Sequence, residues 1–283
     1  MMYYSKAFGL SIESDLKIPE FLPNNASENS AVIIKNSFSP IEINANGLIT
    51  NFTNELSFEI KKIGRFSIKD GNRIFYQREN HVSDEELRLF ILGSCFGCLL
   101  QQRGYIVLHG NAITTDETTC KIIVGNQGAG KSTTAAWYHQ QGAKILADDV
   151  CAVTFNDLGQ PIVIPSYPQI KLWQASADLL GISTRHLNHV RPQQEKFSLP
   201  IVEKFWQTPL PLTEIVEIHP SYQEIKVIQG LKKLGYLKEH SYRYQFLEKM
   251  QLTAHYLKQL MRLADKITFQ CSPRIQLNQK INA

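Results

Sequence analysis

The chain lacks a long apolar run, a strong net charge, a paired cysteine framework and any internal repeat. Its longest apolar run, Leu89 to Leu100, has 12 residues, whereas about 20 are needed to cross a bilayer; no membrane association is expected. The opening Met-Met-Tyr-Tyr-Ser-Lys has no apolar signal core, so the expected location is the cytoplasm. Five cysteines, at 95, 98, 120, 151 and 271, are an odd number without regular spacing, which excludes a secreted disulfide scaffold. Cys95 and Cys98 form a C-x-x-C, but no second ligand pair follows, which favours buried helical thiols over a zinc site. A net charge of +4 is too small to indicate nucleic-acid binding. No N-K-x-D guanine-reading segment occurs, which disfavours a GTPase.

What is present is an ordinary globular composition, 43% hydrophobic and 20% charged over 283 residues. That length suits one large domain or two modest ones. Three stretches are distinguished. Residues 1–82 are a β-rich N-terminal region of short strands such as Ala31–Ile34 and Leu56–Ile60, with a turn at Asp70-Gly71-Asn72 and a polar loop over 23–30. Residues 83–104 form a buried connecting helix, begun by the capping box Ser83–Glu86 and stopped at Gly104. Residues 105–283 alternate strand, loop and helix, the texture of an α/β domain. Strands are expected at 105–114, 120–125, 143–155, 160–165, 212–220, 224–229 and 268–271, with helices over 131–141 and most of 230–266. Charge is uneven: residues 1–104 carry 11 basic and 12 acidic side chains, residues 230–283 carry 10 and 3. A basic C-terminal fifth suits an anionic ligand, and equally a solvated helix surface.

The chemistry concentrates at residues 125–133. Gly125-Asn126-Gln127-Gly128-Ala129-Gly130-Lys131-Ser132-Thr133 matches G-x-x-x-x-G-K-[ST], with an expected strand before it and a helix after it. In such a loop the backbone N–H groups turn inward on phosphates and the helix N-terminus adds partial positive charge. Lys131 would reach the β- and γ-phosphates, and Ser132 would ligate Mg²⁺. Asp148 and Asp149 close the next strand, where a nucleotide site needs a metal-binding or proton-accepting carboxylate. Adjacent carboxylates repel unless a cation or shared proton relieves them. Asp149 is the candidate metal ligand beside Ser132. His109, on the strand before the loop strand, is the remaining catalytic candidate.

Together, Leu108–Ile113 (LHGNAI), Gly125–Thr133 and Ile145–Asp149 (ILADD) resemble the HPr kinase/phosphorylase superfamily, whose phosphate loop is related to that of phosphoenolpyruvate carboxykinase. The resemblance implies an α/β P-loop nucleotide domain with a smaller β-rich N-terminal part, and ATP with Mg²⁺ as cofactors. It places His109 near the γ-phosphate and makes Asp148 and Asp149 the catalytic pair, one accepting the acceptor hydroxyl proton. It also aligns Arg243 with a basic residue that contacts the phosphates. A nearer resemblance is to the HPr-kinase-like proteins of lasso-peptide biosynthesis clusters, through Tyr4–Ile12 (YSKAFGLSI), Pro19-Glu20, Gly64-Arg65-Phe66, Asp70-Gly71 and Gln102-Arg103-Gly104. Some of those proteins phosphorylate the C-terminal serine of a precursor peptide. One departure is the missing R-G-L-G-like segment after the Asp pair; Glu195-Lys196-Phe197 stands in that region. HPr itself is therefore not the expected substrate, the second metal ligand is open, and Lys196 joins Arg243 as a phosphate-contact candidate.

The expected activity is an ATP-dependent serine kinase whose partner is a precursor peptide or protein carrying the acceptor serine. Association of like chains is compatible with this reading. The alternatives are a kinase of a small-metabolite hydroxyl or of another protein serine, and a non-catalytic nucleotide-sensing regulator.

Overall fold

A computed structural model describes residues 1–25, 30–44, 47–49, 54–191 and 193–274. Within the expected polar loop 23–30, residues 26–29 lie outside the described residues. So does the end of the basic segment from 275 onward. The chain forms two compact units, Met1–Val107 with Ser241–Gln259, and Leu108–His240 with Leu260–Ala283.

The first unit is built on a mixed sheet of β1 (Tyr3–Ala7), β2 (Leu10–Ser14), β3 (Leu22–Pro23), β4 (Val32–Asn36), β5 (Leu48–Ile49), β6 (Glu55–Ile60), β7 (Gly64–Lys69) and β8 (Arg73–Arg78). Among the described residues the strand order is β3-β1-β2-β4-β8-β7-β6-β5. The β1–β2 hairpin turns on Phe8 and Gly9, both at positive φ (52° and 69°). Consecutive positive φ values twist a two-residue loop to match its strands. The expected Asp70-Gly71 turn joins β7 to β8, again with two positive φ values (55° and 63°). The buried face comprises Val32, Ile34, Leu56, Phe58, Phe66, Ile68, Ile74 and Tyr76.

The expected helix follows. Its capping box is formed, with Ser83 Oγ accepting from the Glu86 amide and Glu86 Oε2 from the Ser83 amide, both at 3.3 Å. It is not uniformly α-helical: α1 (Asp84–Phe90) passes through a π-helical turn (Ile91–Cys95) into α2 (Phe96–Gln102). A π turn admits an extra residue and rotates the face beyond it, which a segment apolar nearly all round does not reveal in its pattern. Cys95 and Cys98 are fully buried, and burial pushes both thiols above their ordinary range.

The second unit holds β9 (Ile106–Thr114), which begins in the first unit, then β10 (Cys120–Val124), α3 (Lys131–Gln140), β11 (Lys144–Phe155), β12 (Pro161–Ile164), β13 (Gln169–Trp173), α4 (Gln174–Leu179), β14 (Asn188–His189), β15 (Lys196–Pro200), β16 (Leu210–His219), β17 (Lys226–Ile228) and α5 (Lys232–Glu239). After α6 (Tyr244–Lys249) and the start of α7 (Thr253–Ala264), both in the first unit, the chain returns through the end of α7 to β18 (Thr268–Pro273). The main sheet runs β10-β9-β11-β12-β16-β18-β17, and β10 also pairs with β16, closing five strands into a barrel-like ring. β10 and β18 both run parallel to β16. The architecture is mixed α/β, as expected. The small antiparallel sheet β13-β15-β14 has no counterpart in the sequence reading, because its strands are short and interrupted by polar residues.

The units part after residues 107, 240 and 259, whereas the expected boundaries fell at 82 and 104. The helix segment belongs with the N-terminal sheet, and residues 241–259 leave the C-terminal stretch to join it. The physical reason is a side-chain fit. Gly93 and Gly97 lie one turn apart, and Tyr242 occupies the space their missing side chains leave: a Cβ built on Gly97 would stand 2.6 Å from the Tyr242 ring. Phe246 stacks on Phe58 with centroids 5.3 Å apart. Gly97→Ala is therefore expected to lower the thermal unfolding midpoint, with an overpacking cost of about 1–3 kcal/mol. Gly235→Ala is the control. It sits in α5 with open space around it and should be neutral or stabilising. Equal midpoints for wild type and Gly97→Ala would refute the fit.

Candidate functional site

The glycine-rich segment links β10 to α3, strand before and helix after, within the second unit. Gly125 leaves the strand where the chain passes close to β16; a Cβ there would lie 2.6 Å from the Ile218 carbonyl. Gly130 is the N-cap of α3 in the left-handed region, φ 100°, a conformation costly for residues with a Cβ. Asn126, Gln127 and Gly128 are exposed at the loop apex, and Ala129 is buried beneath it. Lys131 is buried and turns its ammonium back onto the loop, donating to the carbonyls of Gly125 (2.7 Å) and Asn126 (3.3 Å). Burial pushes it below the ordinary lysine value, while Asp149 and Asp148 act in the opposite sense. Thr133 Oγ1 lies 2.8 Å from Ser176 Oγ, which ties the helix to α4.

Asp148 and Asp149 lie inside β11, which runs on to Phe155, rather than at its end as expected, and the backbone at Asp149 is unusual. Neighbouring side chains of a regular strand point to opposite faces. Asp149 instead has φ 75°, a left-handed conformation uncommon for a non-glycine residue. Asp148 is 2% exposed and gathers three donors: Asn111 Nδ2, Ser132 Oγ at 3.1 Å and the Lys171 amide at 2.9 Å. Burial raises its carboxyl above the ordinary range; the Lys171 ammonium opposes this without cancelling it. Asp149 has a side chain 28% exposed. Its carboxylate lies 3.2 Å from His109 Nδ1 and 3.5 Å from Lys171 Nζ. Burial works to raise Asp149 too, but the Lys171 ammonium and the His109 hydrogen bond outweigh it and hold the group well below the usual carboxylate range. The two carboxylates therefore differ: one is buried with a raised proton affinity, the other is ionised and partly open.

The structure brings Lys131, Ser132, Asp148, Asp149 and His109 into one neighbourhood of the second unit. Lys196 joins them through its positive charge, which acts on both aspartates and on Lys131; its ammonium lies 5.6 Å from the Trp173 ring centroid. Arg243 belongs to the first unit, at the N-cap of α6, with its guanidinium near the rings of Tyr242 and Phe246. Ser132, expected beside Asp149, bonds to Asp148 instead. The sequence reading missed three residues. Asn111 was detectable as the residue two beyond His109 on the same strand face. Lys171 was detectable as a lone cation in the apolar run Ile170–Trp173, and its side chain is only 5% exposed. Arg274 follows β18 and lies over the loop; a Cβ on Gly130 would come within 2.9 Å of its Nε.

Among the described residues no three His, Cys, Asp or Glu side chains are grouped as a metal cage. The oxygens of Ser132 and Asp148 nevertheless suit Mg²⁺, which takes one or two protein oxygens together with phosphates and water. The site also yields a stability signature. A carboxyl raised in the folded state contributes stability that is complete below the unfolded value near 4 and is lost as pH rises through the folded value. Asp148→Asn removes that loss. Its unfolding midpoint relative to wild type should therefore rise steadily from about pH 4 toward neutrality. A flat or falling difference in a pH series of thermal melts would refute the assignment.

No protein-family model and no curated protein sequence matches the chain. Among solved structures, the HPr(Ser) kinase/phosphatase from Coxiella burnetii is a distant structural neighbour, with a TM-score of 0.29 and 11% identity over 44% of this chain and 78% of that one.

Proposed function

We propose that the protein is a Mg·ATP-dependent kinase that transfers the γ-phosphoryl group to a serine hydroxyl. The observation that carries this reading is the convergence of Lys131 and Ser132, at the start of α3, with Asp148, Asp149 and His109. Binding alone requires the cations and loop amides; it does not require two carboxylates of opposite pKa displacement.

In this reading the chain's own groups position and stabilise charge, which is most of what phosphoryl transfer asks of a protein. Lys131 releases the loop carbonyls and turns to the β- and γ-phosphates. The N-terminus of α3 supplies amides and partial positive charge to the same oxygens. Arg274 and Lys196 add positive charge around them. Ser132 and Asp148 would hold Mg²⁺, which would neutralise negative charge on the phosphates. Asp149, ionised and partly open, accepts the proton of the acceptor hydroxyl, and His109 orients it through Nδ1. The acceptor we infer is a serine near the C-terminus of a ribosomally made precursor peptide. Supporting this are the likeness of Tyr4–Ile12 and Pro19-Glu20 to lasso-peptide kinases and the basic residues after Gly230.

The test is intact-mass spectrometry of candidate precursor peptides after incubation with Mg·ATP. One added phosphate, absent when the terminal serine is replaced by alanine, is the expected result. Modification of a free metabolite with the peptide untouched refutes the peptide acceptor. Lys131→Ala should abolish transfer and the thermal stabilisation that Mg·ATP gives the wild type. Asp149→Asn should keep that stabilisation and slow transfer by about 10²–10⁴-fold. Wild-type turnover in Lys131→Ala would sink the kinase reading itself.

A further inference from the structure

Behind the loop strand lies a second buried polar cluster that the mechanism above does not use. Glu217 is in the middle of the sheet, paired with Val124 at the end of β10 on one side and Cys271 of β18 on the other. It is 5% exposed. Its carboxylate takes His240 Nε2 at 2.9 Å, Tyr222 OH at 2.8 Å and Cys271 Sγ at 3.3 Å. Burial works to raise Glu217, but these partners, His240 first, bring it below its ordinary value. His240 is equally buried, 4% exposed, and its backbone carbonyl accepts the amide N–H of His109 at 2.8 Å. The next residue on β16, Ile218, places its carbonyl under Gly125.

We infer that the Glu217–His240 pair is a positioning device for the transfer step. It fixes the carbonyl that holds His109 against the same strand that supports the glycine-rich loop. The inference rests on the kinase reading, in which His109 orients Asp149. Three observations carry it. First, a buried polar pair adds little stability compared with apolar residues of similar volume, so stability alone does not account for it. Second, β16 contacts both halves of the site: residue 218 lies under the loop and residue 217 holds the residue that holds His109. Third, His240 closes the last turn of α5, its amide donating to the Tyr236 carbonyl at 3.0 Å, so the imidazole–carboxylate bond ties that helix end to β16. Displacing a catalytic group by about 1 Å can cost on the order of 10²-fold in rate.

The test compares the double variant Glu217→Met/His240→Leu with the single variant Glu217→Gln. The double variant replaces the whole pair by apolar side chains and should fold with a midpoint near wild type. Its kcat is expected to fall about 10–100-fold, while KM for ATP and the Mg·ATP-induced stabilisation stay within about threefold. Glu217→Gln keeps an acceptor for His240 and should retain kcat within about threefold. A double variant with unchanged kcat, or with ATP affinity lost in parallel with rate, overturns the inference. Should the double variant not fold, Tyr222→Phe removes one donor from Glu217 and should lower kcat about two- to fivefold at constant KM; no change there overturns it equally. An activity-free readout separates this from failure of the kinase reading. In histidine-labelled protein, the His109 ring resonances should move in the double variant and return in Glu217→Gln. If wild type phosphorylates nothing, the kinase reading fails, and an unmoved His109 signal rejects the coupling on its own.

Discussion

A single buried carboxylate holds the site together. Asp148 collects a donor from β9 through Asn111, one from the first turn of α3 through Ser132 and one from the backbone of β13 through Lys171. Three elements far apart in sequence are thus referred to one oxygen pair at almost complete burial. A charge so placed is tolerated only with its hydrogen bonds made. That requirement makes the arrangement specific: moving the helix, the strand or the small sheet leaves a buried carboxylate short of a partner. The small sheet β13-β15-β14 acquires its meaning here, since it delivers Lys171 and Lys196 to the aspartates.

Charge at the site is arranged in opposition. Lys131, Lys171 and Lys196 face two carboxylates and Arg274 stands beside the loop, and the excess of positive charge suits a polyanion. The distribution matters more than the sum. Lys171 places its ammonium 3.5 Å from Asp149 and donates its amide to Asp148, and the His109 bond falls on Asp149, so the neighbouring aspartates are driven apart in proton affinity. The left-handed backbone at Asp149 departs from the regular alternation of side chains along a strand. Strain of that kind persists where surrounding contacts over-determine it, and His109 and Lys171 supply those contacts.

The first unit follows a different constraint, that of close packing. Its helix carries glycines at 93 and 97 where a neighbour must approach, and Tyr242 is that neighbour. Tyr256 OH reaches the Val107 carbonyl at 3.1 Å, and Gln101 Nε2 the Tyr242 carbonyl at 2.6 Å. Residues 241–259 are thereby committed to the N-terminal sheet although they follow the whole of the second unit's main segment.

Much of the local structure was legible in the residues themselves. The capping box at Ser83, the turn at Asp70-Gly71 and the strand–loop–helix order around Gly125–Ser132 follow from side-chain hydrogen bonding, glycine's freedom and hydrophobic periodicity, all short-range properties. The candidate constellation was legible too: Lys131 and Ser132 begin α3 after the glycine-rich loop, and His109, Asp148 and Asp149 stand out as polar residues within the apolar strands β9 and β11. Other features were decided only by tertiary structure. Lys171 and Arg274 are ordinary cations until β13 and β18 carry them to the aspartates and the loop, and Lys196, a candidate from its place after the Asp pair, reaches them only through β15. That Ser132 meets Asp148 rather than Asp149 is decided by how the start of α3 sits against β11. The π turn, and the return of residues 241–259 to the N-terminal unit, depend on which side chain fills the space beside two glycines. These are long-range packing choices, made between residues up to 152 positions apart, and no local pattern records which partner will arrive.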